Sequence, residues 1–184
     1  MQVRDREEDL VKTTRRVLVV VVAVLALVSA DAVAGGFLKY EGIDGESKDR
    51  QHKGWIDIES WNWGMEQSES MTTRSVRGSG RANFKSLVFS KKVDSATPKF
   101  MRYFAEGTRL GEVLLEVSLG GERPATLRMV LTNAQVTSVH IEDAAGEGRP
   151  MEHISISFTK VKVIHTGPRG SVEFDWDIQS GSGR

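Results

Sequence analysis

The sequence has no cysteine in its 184 residues. That excludes a disulfide framework, a thiolate metal site, a cysteine nucleophile and thiol redox chemistry. Charge of a dominant sign is also missing, with 25 Lys+Arg against 25 Asp+Glu. A nucleic-acid binder or a polybasic membrane-surface protein normally carries a basic excess, so both classes are disfavoured. Proline is scarce, 4 residues beside 18 glycine, and 27% of residues are charged, so composition predicts neither low complexity nor disorder. No apolar run reaches the roughly 20 residues of a membrane span. The length suits one globular domain, two at most.

The longest apolar run is Val17 to Val28. Charged residues and the pair Arg15-Arg16 precede it, and Ala32-x-Ala34 follows. A basic flank, a short apolar stretch and a small-x-small site make up the secretory-signal layout. Residues 1–34 are therefore expected to be a leader cut between Ala34 and Gly35. An uncleaved anchor and a later start are the alternatives, and membrane contact is expected only through an uncut leader. Every aromatic residue lies beyond the leader, which places the fold in residues 35–184.

From Gly35 the pattern is mostly of period two, with β-branched and aromatic residues between glycine-bearing breaks. Strands are expected at Phe37 to Tyr40, Trp55 to Met65, Phe84 to Lys91, Glu112 to Leu119, Ala125 to Leu131, Ala134 to Ile141, Met151 to Ile164 and Ser171 to Ile178. Gly120 to Arg123, Thr132-Asn133 and Ala144 to Arg149 read as hairpin-sized connections. The apolar phase slips twice within strands, which predicts bulges near Ser60 and near Thr159-Lys160. One helix is expected over Pro98 to Glu106, with Thr97 as its cap, Gly107 as its stop, and Phe100, Met101, Tyr103 and Phe104 on one apolar face. Glu66 to Gly80 reads as a mobile polar stretch. Short strands at hairpin spacing with one helix describe a sandwich or, preferably, a closed β-barrel, because a barrel removes exposed edges.

Chemistry-bearing motifs are sparse. The four histidines (His52, His140, His153 and His165) show no HxH, HxxxH or HExxH spacing, although His140 and His153 fall on neighbouring strands near Glu142 and Asp143. Those residues and the Ser155, Ser157, Thr159 run read as an ordinary polar face. There is no G-x-S-x-G elbow for a nucleophile, and Gly78-Ser79-Gly80-Arg81 lacks the rest of a phosphate loop. No cofactor is expected. Trp55, Trp61 and Trp63, with Ile56 and Ile58 between them, read as core or subunit-interface aromatics before they read as a glycan platform.

Two stretches are distinctive in combination. Gly36-Phe37-Leu38-Lys39-Tyr40-Glu41-Gly42-Ile43-Asp44-Gly45-Glu46-Ser47 resembles the opening of the haemolysin-coregulated proteins (Hcp), the tube subunits of type VI secretion systems. His52-Lys53-Gly54-Trp55-Ile56-Asp57-Ile58-Glu59-Ser60-Trp61-Asn62-Trp63-Gly64 is similar to their second signature, and Phe158-Thr159-Lys160-Val161 to a third. The resemblance implies a two-sheet β-barrel flanked by one helix, no catalysis, and homohexameric rings that stack into a tube. Its partners by resemblance are sheath and spike proteins and effector cargo. The Glu41 to Lys53 loop would reach the next ring, with Glu41, Asp44, Glu46, Lys48, Asp49 and Arg50 as stacking residues. So polar a loop, with Ile43 as its only aliphatic residue, is expected to order only against a partner. Shortening residues 44–50 is expected to spare the hexamer and abolish tubes. The leader departs from the resemblance, since such subunits leave the cytoplasm through the apparatus. A secreted location is expected either way. The competing reading is an exported β-barrel module that binds a polysaccharide or a protein partner through its tryptophans.

Overall fold

The structure, a computed structural model, describes residues 35–67, 82–119, 125–143 and 148–183. The expected leader, with Ala32 and Ala34, lies outside the described residues, as does Gly120 to Arg123. Twelve strands and one helix are present among the described residues, more strands than the sequence pattern predicts.

The strands are β1 (Gly36–Tyr40), β2 (Ile56–Ile58), β3 (Ser60–Asn62), β4 (Met65–Gln67), β5 (Ala82–Phe84), β6 (Leu87–Lys92), β7 (Arg109–Leu119), β8 (Ala125–Glu142), β9 (Met151–Ser157), β10 (Lys160–Gly167), β11 (Gly170–Asp177) and β12 (Ser182–Gly183). The helix α1 (Thr97–Glu106) lies between β6 and β7. β4 pairs only with β5, so the edges of the polar stretch expected to be mobile form a small ladder of their own. The other ten strands make one antiparallel sheet folded into two leaves. One leaf runs β12-β11-β10-β8-β7-β1-β2; the other runs β3-β6-β9-β8. The sheet is not a closed barrel: β2 and β3 follow each other along the chain but do not pair. A single backbone bond from Glu59 N–H to the Ser90 carbonyl (2.9 Å) accompanies the crossing.

β8 belongs to both leaves. Its first half pairs with β10, Val161 opposite Leu131, and its second half with β9, Val136 opposite Ile156. Thr132-Asn133 is therefore not a hairpin. Asn133 has φ 55°, a left-handed conformation that asparagine tolerates better than most residues. This one residue switches the buried phase from Met129 and Leu131 to Ala134 and Val136. Opposite it the chain breaks between β9 and β10, where the Asn133 side-chain amide donates to Thr159 Oγ1 (3.3 Å). Lys160 faces Thr132 and Ser157 faces Gln135, so the two strands bend together with no inserted residue. The bulge expected at Thr159-Lys160 is thus a paired bend; a register shift sits instead between Val136 and Ser138. The other phase change does fall beside Ser60, where Glu59 and Ser60 are both exposed after buried Ile56 and Ile58.

The core between the leaves contains Leu38, Tyr40, Ile56, Ile58, Leu87, Phe89, Val113, Leu115, Met129, Leu131, Ile154 and Ile156, with Phe100 inserted from α1. Phe100 meets Tyr40 and Phe89 edge-on, at centroid distances of 5.7 and 6.0 Å. The helix buries less of its face than its pattern predicts: Tyr103 is half-buried, while Met101 and Phe104 are exposed. Thr97 is not its cap either. Ala96 holds that place without a side-chain bond, and Thr97 Oγ1 turns inward to donate to Glu152 Oε1 (2.9 Å). Gly107, at φ 64°, ends the helix as expected.

One feature of the core is ionic. Lys91 and Glu152 are fully buried and pair at 2.6 Å across β6 and β9. The Lys91 ammonium also donates to Asp94 Oδ1 (2.6 Å) and the Lys92 carbonyl (2.7 Å), which uses its three donors.

Candidate functional site

The Glu41 to Lys53 loop is built into the subunit. Ile43 N–H donates to the Tyr40 carbonyl (3.0 Å), Gly45 N–H to Gly54 (2.9 Å), Ser47 N–H to Trp55 (3.0 Å), and Gly54 N–H back to Ser47 (3.0 Å). Gly45 runs against the Trp55 and Ile56 backbone with no space for a Cβ. Ile43, Ser47 and His52 are buried. The expectation that this loop orders only against a partner is therefore overturned. Sequence counting missed the reason, which is that its polar groups satisfy one another and the neighbouring strand ends.

His52 is the centre of the arrangement. Its ring stacks on Phe37 (4.0 Å, 4° between planes) and meets the edge of Trp55 at 4.9 Å. Nδ1 lies 2.7 Å from Asp49 Oδ1, and Nε2 lies 3.2 Å from Glu116 Oε1 on β7. Asp49 Oδ1 also accepts the Gln51 and His52 backbone N–H groups, both at 2.9 Å. Arg128 on β8 donates to Glu116 Oε2 through Nε (3.0 Å) and Nη2 (2.6 Å). No spacing in the sequence joins residue 52 to residue 116, so only the fold brings this group together.

Three carboxylates of this site are held below their usual range. For Asp49 the cause is the His52 ring, then the Gln51 N–H. For Glu46 it is the Ser95 N–H, which donates to its Oε1 at 3.1 Å. Burial alone would raise Glu116, but hydrogen bonds from Arg128 and His52 outweigh it and the net shift is downward. A depressed folded-state value stabilises the fold above the unfolded carboxylate range, about 4, and that contribution is lost as pH falls through the folded values. The urea midpoint is accordingly expected to be lower at pH 3 than at pH 6; equal midpoints would show that these contacts do not stabilise the fold.

The six expected stacking residues divide into two groups. Glu46 and Asp49 are engaged within the subunit. Glu41, Asp44, Lys48 and Arg50 face outward, and Asp44 is 96% exposed with Lys99 4.0 Å away. The three tryptophans do not form one platform. Trp55 packs on His52 below Lys39 Nζ (5.9 Å from the ring), Trp61 pairs with Phe89 across β3 and β6, and Trp63 packs near Phe84 (6.5 Å). Trp61 and Trp63 are half-buried against the core. Gly35, the expected first residue after the leader, is half-buried and sits against the Glu59 backbone.

His140 and His153 do face each other across β8 and β9, and His153 Nε2 contacts Glu142 Oε1 at 2.8 Å. No group of three side chains suited to a metal ion occurs among the described residues. No helix among them is long and apolar enough to cross a membrane.

Comparison with known proteins gives a consistent result. The profile of the family described as "Type VI secretion system effector, Hcp" matches residues 37–165. The Pseudomonas aeruginosa protein hcp1 is 32% identical over 152 residues, which cover 78% of this chain and 94% of that protein. The crystal structure of Hcp1 from Salmonella typhimurium aligns with a TM-score of 0.68 at 27% identity, covering 81% of this chain and 97% of that one. A type VI secretion system effector from Yersinia pestis aligns at 0.65 and 27%, covering 77% and 98%.

Proposed function

The chain belongs to the Hcp family of type VI secretion, and on that premise we propose that it is a tube subunit whose hexameric rings stack and carry effectors. The observation that carries this reading is the family match across both leaves of the sheet. Its role is structural, and sheath, spike and effector proteins are its partners. The outward charges Glu41, Asp44, Lys48 and Arg50 stand on a loop already fixed by its own hydrogen bonds, so a second ring meets them without ordering the backbone. The signs are mixed, as contact between identical rings requires. Each exposed ion pair contributes only about 0–1 kcal/mol, but six copies around a ring act together.

Deleting residues 44–50 is a poor test, because it removes buried Ser47 and the Glu46 and Asp49 contacts. Reversing the outward charges is the better one. The triple variant Asp44→Lys, Lys48→Glu, Arg50→Glu is expected to elute as a hexamer in size-exclusion chromatography with light scattering. Electron microscopy should then show no tubes at concentrations where wild type forms them. Tubes that persist would remove the loop from the contact. Elution of the wild type at one subunit mass would favour the exported binding module instead.

Secretion accords with the family. We read residues 1–34 as a leader removed before Gly35; N-terminal sequencing of the exported protein tests this. A chain that begins near Val33 points to a later start and export through the apparatus from the cytoplasm, and one that keeps Met1 to an uncleaved anchor.

A further inference from the structure

Asp49, His52, Glu116 and Arg128 alternate in charge type along a path from the loop through β7 to β8. An ionised carboxylate can only accept hydrogen bonds, and here one stands at each ring nitrogen. A neutral imidazole has one N–H and one lone pair, so it satisfies one carboxylate and turns its lone pair toward the other. Only the imidazolium donates to both. Asp49 and Glu116 are the charged groups that face the ring, from the loop and from β7. Arg128 stands behind Glu116; β1 contributes the Phe37 ring and, across Trp55, the Lys39 ammonium. With His52 cationic the four charges cancel; with it neutral, one carboxylate oxygen faces the ring's lone pair in place of an N–H, although Asp49 keeps its two backbone donors and Glu116 keeps Arg128.

We propose that His52 is the positioning residue of the outward loop, and that its doubly donating, protonated form clamps the loop to β7 and loss of that proton releases it. The proposal deepens the stacking reading and rests on it for the consequence: rings meet through a rigid loop when the clamp is closed and a loose one when it is open. Arg50 and Lys48 are carried on the segment that Asp49 pins, so their placement depends on the clamp although they do not touch it.

The test reads the loop directly. Hydrogen exchange of the Gly45, Ser47 and Gly54 amides, whose bonds hold the loop, is measured on the full chain at pH 6 and pH 8 and corrected for the intrinsic rate. Wild type is expected to open about tenfold more at pH 8, the worth of one charge-assisted hydrogen bond. Glu116→Gln is expected to abolish the difference, because its amide can donate to Nε2 of a neutral ring. His52→Phe keeps a ring against Phe37 without donors and is expected to be open at both pH values. Equal protection of the wild type at the two pH values overturns the proposal, and so does a pH dependence that survives in Glu116→Gln. Sedimentation of tubes at both pH values separates the two levels: a loop that opens while tubes persist keeps the clamp and removes the loop from stacking.

Discussion

Lys91→Met is expected to lower the melting temperature by about 6–20 °C. The substitution leaves the Glu152 carboxylate in the core without its counter-ion, and breaking a buried pair from one side costs about 3–5 kcal/mol. For a domain of this size each kcal/mol corresponds to roughly 2–4 °C. Glu152 is fully buried, and its Oε2 has no hydrogen-bond partner among the described residues, so without Lys91 only the Thr97 hydroxyl on Oε1 would support its charge. The double variant Lys91→Met, Glu152→Leu removes both charges and is expected to recover much of the loss, because apolar replacement of a whole buried pair is often close to neutral. A Lys91→Met protein that melts within about 2 °C of wild type would show the pair to be idle.

Phe100→Ala is expected to cost about 3–5 kcal/mol. Phe100 is the one fully buried aromatic of α1, wedged edge-on between Tyr40 and Phe89. Truncation opens a cavity between β1, β6 and the helix and removes two aromatic pairs, each worth about 0.5–1.5 kcal/mol beyond its area. The rest of the helix has little with which to hold on, since Met101 and Phe104 remain exposed. Its amides should therefore lose exchange protection ahead of those in β7 and β8. A cost under about 1.5 kcal/mol, or unchanged protection in the helix, would mean that the Lys91 cluster alone docks it.

The elements that were legible in the sequence are those in which one face meets the core throughout. β1 alternates cleanly, with Leu38 and Tyr40 inward and Lys39 outward, and the helix is bounded by Pro98 and Gly107. Strands that change partner were not. The break between Leu131 and Ala134 was visible and read as a hairpin turn, because period two cannot distinguish a turn from a left-handed residue inside a continuous strand. β12 pairs through only two residues and leaves no pattern. The Lys91 pair did have a signal: Leu87, Phe89 and Lys91 share a phase, as do Glu152, Ile154 and Ile156. Opposite charges in two apolar phases announce a buried pair. His52 had no such signal, because its carboxylate on β7 is close only after folding.

The long strand β8 also governs the timing of synthesis. Phe37 must wait for Glu116, and Leu87 for Ile156, while both leaves wait for the segment from Ala125 to Glu142. Until that segment leaves the ribosome, Leu38, Tyr40, Leu87 and Phe89 have no finished layer to enter, and the nascent chain presents unpaired strands to its neighbours. Folds dominated by such distant pairings form in milliseconds to seconds rather than microseconds. A chain that stops short of Glu142 therefore has neither leaf complete, and truncation there is expected to yield an aggregate rather than half a subunit.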